Sequence, residues 1–268
     1  MIHEELSMEE SSAGMTAGER LSRREFSVKA LRSILTLSII DTFVTYDAFG
    51  DAVKPVTGKW VADVDSLCRQ VKDEKIKQIE WQKKVEELLK KVDLQTLLRL
   101  VDFEKLTAKI KYRDRGELSL RFQFQQVEGV PTNLIFGKQI FALRKGRSVA
   151  PHGHNNMATA FLILKGSLRG RHYDRVEDQK DHFLVRPTID GTFEAGGYST
   201  VSDVKDNVHW FTAESETAFI FNFHVLGLNP EGPKKTGRIY LDVKGEKVKS
   251  GLIRARKLAY KDAYKRYG

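Results

Sequence analysis

The stretch Gly146-Arg147-Ser148-Val149-Ala150-Pro151-His152-Gly153-His154 decides how this chain is read. Two histidines two residues apart project to the same side of an extended backbone. Both imidazoles can then reach one ion, at about 2.0–2.1 Å if it is zinc. On a helix the same spacing would splay them by about 200°. The pair therefore acts together only if the segment is a strand. Outward from it, five residues separate Gly146 from His152, four separate His154 from Thr159, and six separate Thr159 from Gly166.

The flanking sequence supplies strands. Near Gly116 the apolar period changes to two: Leu118, Leu120, Phe122 and Phe124 alternate with Ser119, Arg121 and Gln123. Strand-like runs follow at Gln139–Leu143, Ala158–Leu164, His182–Arg186 and Thr217–Leu226, most of them separated by Gly, Pro, Asn or Asp. The series predicts an antiparallel sandwich or barrel rather than a βαβ unit. In the last run Phe219, Phe221, Phe223 and Val225 share one face, read as core, while Ile220, Asn222 and His224 share the other.

The spaced frame Gly146, His152-Gly153-His154, Gly166 resembles the first motif of the cupin superfamily, with Thr159 at the position of that motif's Glu. The resemblance covers roughly residues 135–230. It implies a mainly β chain with a single jelly-roll β-barrel and an N-terminal helical extension. The second cupin motif contributes one further histidine. Here that would be His209, although the motif's Pro, Gly and Asn are replaced by Val204, Asp206 and Ala213. With Thr159 in the Glu position, the implied ligand set is His152, His154 and His209. Three histidines without a carboxylate resemble the thiol dioxygenase branch, relatives of cysteine and cysteamine dioxygenases. The segments Asp206–Ala213 and Leu164–Leu168 look like the cysteamine type. The resemblance implies iron(II), with zinc, nickel, copper or cobalt also suited to imidazole ligands. It implies a small-molecule substrate, a thiol, used with dioxygen. Two functions stay open: an iron(II) oxygenase, or a non-catalytic metal- and ligand-binding cupin that senses or stores.

Around this set, Thr159 is the candidate catalytic side chain, placed to hydrogen-bond water or dioxygen. Phe161 and Ile163 share its parity and form an apolar lining. Tyr173 and Tyr198 could donate a hydroxyl. Arg144, Arg169 and Arg171 are alternatives for gripping a substrate carboxylate, as the free-cysteine members of the family do with an arginine. His172 and His182 lie in charged surroundings and read as solvated. His224 reads as a hydrogen-bonded sheet histidine.

The rest of the chain narrows the function classes. Its 268 residues carry a net charge of +9, but Lys and Arg are mixed with acids, and no basic stripe interleaved with aromatics suggests nucleic-acid binding. No phosphate-cradling glycine loop and no nucleophile elbow is present. One cysteine, Cys68, excludes an intramolecular disulfide framework and reads as a small buried apolar residue. No apolar run approaches the roughly 18 residues of a membrane span.

Residues 1–20 read as disordered. Ser22-Arg23-Arg24-Glu25-Phe26-Ser27-Val28-Lys29 resembles a twin-arginine export signal, which assigns residues 21–50 to a signal segment and the mature protein to the periplasm; without export it stays cytoplasmic. Residues 51–112 read as helical. Val61, Val64, Leu67, Cys68 and Val71 form one apolar face, Val85, Leu88, Leu89 and Val92 a second, and Leu94, Leu97, Leu98 and Val101 a third. These helices either pack on the barrel, exposing a Lys- and Glu-rich surface, or form a homodimerising arm. A membrane tether is implied only if the signal segment is uncleaved. Residues 113–230 are assigned to the barrel and 231–268 to a basic closing segment with a helix near its end.

Overall fold

The structure is a computed structural model that describes residues 50–248 and 251–268. The twin-arginine-like segment and the stretch read as disordered lie outside the described residues. Four helices come first: α1 (Gly50–Lys72), α2 (Gln78–Lys91), α3 (Leu94–Leu100) and α4 (Phe103–Thr107). Eleven strands follow: β1 (Leu118–Leu120), β2 (Gly137–Arg144), β3 (Ser148–Asn155), β4 (Met157–Lys165), β5 (Leu168–Asp178), β6 (His182–Phe193), β7 (Tyr198–Val201), β8 (Val208–Ala213), β9 (Thr217–Leu226), β10 (Gly237–Lys247) and β11 (Ile253–Leu258). Helix α5 (Tyr260–Tyr267) ends the chain.

The strands make a five-stranded sheet, ordered β1-β2-β9-β4-β7, and a closed six-stranded barrel, ordered β10-β11-β6-β5-β8-β3. All described pairings are antiparallel. The five-stranded sheet is covered on both faces, so β4, apolar but for Thr159, is buried from Met157 to Leu164. Ala158, Ala160, Leu162 and Leu164 point to the helices; Phe161 and Ile163 point to a core shared with Val149 of β3 and Phe211 of β8. A third core, including Phe183, Val185, Leu241 and Ala255, fills the opposite side of the barrel wall.

The β9 phenylalanines are core, as their alternation suggests, and their partners are the helices. Trp60 of α1 lies 6.4 Å from Phe221, Trp81 of α2 lies 6.4 Å from Phe223, and Phe103 of α4 lies 5.0 Å from Phe219, centroid to centroid. Polar contacts fix the same arrangement. Lys72 Nζ donates to the carbonyls of Leu226 and Gly227, each at 2.6 Å, and Asp65 Oδ1 accepts from the Ile135 amide at 2.7 Å. The helical faces are therefore spent on the sheet. Cys68 is fully buried on α1, and burial pushes its thiol up to about 12.

Two expectations are corrected. The alternating run from Leu118 to Phe124 is strand only over Leu118–Leu120; beyond it the Gln125 amide turns to the Leu100 carbonyl. The barrel also does not end at residue 230. β10 and β11 close it, pairing with β3 and β6. Their outward positions carry Arg254 and Arg256, whose charge hides the buried Ile253 and Ala255 between them.

The two frame glycines serve different needs. Gly166 has φ of +79°, and a Cβ there would stand 2.1 Å from the Thr217 carbonyl oxygen. Gly146 has φ of +75° with nothing within 4 Å of a Cβ. Gly146→Ala meets backbone strain alone, of about 1–3 kcal/mol; Gly166→Ala adds a backbone clash and is expected to cost more. Urea unfolding of both variants checks the order, and equal losses would contradict it.

Candidate metal centre

Register brings the histidines together. His152 of β3 stands opposite His209 of β8, which stands opposite His172 of β5; on its other side His152 faces Tyr240 of β10. Directly opposed residues of antiparallel strands share a face. The β3–β8 ladder shifts register between Val149 and His152, where Pro151 has no amide hydrogen to give. Ring centroids lie 4.2 Å apart for His152 and His209, 4.9 Å for His154 and His209, and 5.1 Å for His152 and His154. One nitrogen from each lies within 4.8 Å of the others, and all three residues are about 1% exposed. The cluster faces the five-stranded sheet: Phe161 of β4 lies 4.7 Å from the His209 ring.

The local hydrogen bonds suit a metal. His152 Nδ1 lies 2.8 Å from the Ala150 carbonyl oxygen. A carbonyl only accepts, so Nδ1 carries the proton and Nε2 keeps its lone pair. His154 Nδ1 lies 3.3 Å from the Thr159 hydroxyl. Nε2 of His152, Nε2 of His154 and Nδ1 of His209 are buried with no hydrogen-bond partner. Unpaired buried nitrogens are costly, and three histidines that each bring one nitrogen within 4.8 Å of the others fit a shared cation. Asn207 steadies the end of β3 by donating to the His154 and Ser202 carbonyls, both at 2.8 Å.

Burial also keeps the imidazoles neutral. It lowers His152 to about 3, helped by the Arg238 charge, and holds His154 and His209 well below the usual range, helped by the neighbouring rings and Arg238. Burial leads the lowering of His172 and His224, each to about 4, with the Lys205 charge adding to the first and the Arg238 charge to the second. The folded chain thus binds fewer protons than the unfolded chain between pH 6.5 and these values. Its metal-free stability is full above about 6.5 and falls as pH drops towards 4, each histidine adding a slope of up to about 1.4 kcal/mol per pH unit. Urea midpoints of metal-free protein at pH 7.5, 6 and 5 should decline in that order; a flat profile would contradict neutral burial.

The structure redistributes the other candidates. Thr159 is buried, with its hydroxyl nearest His154. Phe161 and Ile163 line the space between the sheets, as expected. His172, read as solvated, is fully buried; its register with His209 could not be seen in a charged local sequence, and both its ring nitrogens lack partners. His182 bonds Asp181 near the surface, and His224 bonds Asn222 at 3.3 Å. Tyr173 packs in the barrel's other core and Tyr198 against the helix side, so neither faces the cluster. Arg144 lies 3.7 Å from Asp114, and Arg169 and Arg171 share Asp190, with Arg171 stacked 4.3 Å over Trp210. None of the three reaches the histidines. Arg238 and Tyr240 do, and were missed. Their signal was the alternation Gly237-Arg238-Ile239-Tyr240-Leu241, which continues the barrel past its expected end.

The chain is thus a mainly β protein, with a closed barrel beside a five-stranded sheet and helices at its N-terminal side, that carries a candidate three-histidine metal site. No protein-family model and no curated protein matches the chain. Several solved structures are similar to parts of the chain. A cupin superfamily protein from Desulfitobacterium hafniense is 15% identical over 44% of this chain and 84% of its own, with a TM-score of 0.29. An uncharacterised double-stranded β-helix protein from Klebsiella pneumoniae is 13% identical over 50% and 90%, with a TM-score of 0.33. Procruciferin, an 11S globulin from Brassica napus, is 15% identical with a TM-score of 0.29; the match covers 35% of this chain and only 21% of the globulin.

Proposed function

We propose that the chain is a mononuclear iron(II) oxygenase acting on a small thiol. The observation that carries this reading is the donor set: three buried, neutral imidazoles with Thr159 where a carboxylate ligand would stand. Such a set suits a first-row divalent ion and leaves positions open for other ligands. Bound iron(II) would supply the redox chemistry that joins a thiol and dioxygen into a sulfinate. The chain's own residues then do the remaining work. His152, bonded to the Ala150 carbonyl, presents one fixed nitrogen, and Thr159 orients His154 or a small polar ligand beside it. Phe161, Ile163 and Phe211 keep water from the inner side of the cluster. The twin-arginine-like Arg23 and Arg24 support export of the folded chain, tested by periplasmic recovery of the wild type against R23K/R24K.

Metal analysis of protein isolated without chelators, with oxygen uptake on adding cysteamine or 2-mercaptoethanol, tests the function. Iron and thiol-dependent uptake with sulfinate formation are expected. Zinc, or iron with no uptake on either thiol, would overturn the oxygenase and leave a metal-binding cupin without turnover.

A further inference from the structure

His152, His154 and His209 are each about 1% exposed, so a small molecule that reaches them must displace a side chain. On the inner side the cover is deep. Phe161 and Phe211 lie 4.7 and 5.5 Å from the His209 ring, and β4 with the helices packed on it stands behind them. Over His152 the cover is thin. The Tyr240 ring lies 5.5 Å from the His152 ring, and Tyr260 and Tyr264 of α5 lie 5.4 and 5.7 Å from Tyr240, centroid to centroid. Tyr240 is itself partly exposed and Tyr260 is 51% exposed, so on this side Tyr240 and α5 alone stand between His152 and solvent.

Register puts α5 there. Tyr240 of β10 stands between His152 of β3 and Leu258 of β11. The chain leaves β11 at Leu258, turns at the exposed, extended Ala259 and starts α5 at once, which lays the helix back over Tyr240. Apolar contact holds this helix weakly: only Ala263, Tyr264 and Tyr267 are buried. Its firm holds are polar. The Tyr264 hydroxyl bonds the Glu117 carboxylate, 2.8 and 2.9 Å from the two oxygens, and the Tyr267 hydroxyl donates to Asp242 Oδ1 at 2.6 Å. The Tyr264 ring fits because residue 116 is glycine; a Cβ there would stand 2.4 Å from the ring. Glu117 directly precedes β1, so its bond to Tyr264 ties α5 to the five-stranded sheet. Glu117 is 8% exposed, and burial pushes its carboxyl up. A buried carboxylate and two buried phenols regain water when α5 lifts, which offsets much of what the broken bonds cost.

We propose that α5 is a door over the histidine cluster, hinged at Ala259 and latched by the bond between Tyr264 and Glu117, and that small molecules enter when it lifts off Tyr240. The proposal rests on the reading of the cluster as the functional site but requires neither iron nor a thiol.

The test treats full-length, metal-free protein at pH 7 with diethyl pyrocarbonate, which acylates neutral imidazole, and follows the peptide carrying His152 and His154 by mass spectrometry. Y264F keeps the ring and removes the latch; E117A removes it from the other side. Each should speed labelling about ten-fold or more over the wild type, the effect of losing about one hydrogen bond from the closed state. D65A is the control for general loosening. It cuts the bond from the Ile135 amide to α1 on the helix side of the five-stranded sheet, and its labelling should stay within about two-fold of the wild type. Unchanged labelling in Y264F, or equal acceleration in D65A, would overturn the door. Protein that binds no metal would overturn the metal centre and leave this result standing.

Discussion

Replacing Phe221 with Ala is expected to destabilise the protein by about 3–5 kcal/mol, the cost of truncating a fully buried phenylalanine. Phe221 is 1% exposed and joins three parts of the chain. Its ring lies 6.4 Å from Trp60 on α1, 6.0 Å from Phe122 and 6.3 Å from Phe124 in the segment after β1, and 5.8 Å from Phe223 on its own strand. Neighbours from three elements cannot all move in to fill the space, which puts the site at the costly end of such truncations. Thermal or urea unfolding measures the loss. The ring points to the helices, away from the histidines, so the surviving folded protein should still bind metal. A loss below about 1 kcal/mol would mean that the helices do not pack on this sheet as described.

His152→Ala, His154→Ala and His209→Ala are each expected to abolish stoichiometric metal. Each removes one of three donors, leaving a two-nitrogen site with no carboxylate to compensate. The loss should exceed the roughly 10- to 100-fold typical of removing a hydrogen-bonding partner of a ligand, the range expected for Thr159→Val. The same substitutions should behave differently in metal-free protein. They remove buried imidazoles that resist protonation, so the variants should lose less stability than the wild type between pH 7 and 5. Metal content by elemental analysis, paired with urea midpoints at the two pH values, reads both effects. Variants that lose metal without gaining acid tolerance would point to general unfolding rather than to a lost ligand.

The sequence carried what local period can encode. His152 and His154 were legible because a two-residue spacing on a strand needs no distant information, and the flanking glycines marked the turns. The three helical faces and the aromatic face of β9 were legible for the same reason. What was hidden depends on register between distant strands. His172 sits among Arg169, Arg171 and Arg175, and only its pairing with His209 shows that it turns inward. Arg238 is one basic residue in a basic tail until β10 is laid beside β3. Thr159 stands out in the sequence as a departure from a motif; its place beside His154 Nδ1 gives that departure a structural setting.

A cation held between His152, His154 and His209 can be seen by anomalous diffraction. The experiment uses crystals of the full chain loaded with iron(II) or cobalt(II), with diffraction collected at the metal's absorption edge. One anomalous peak per chain is expected, at bonding distance from a nitrogen of each of the three rings. Metal-loaded crystals with no peak there, or with their only peak elsewhere on the chain, would contradict it.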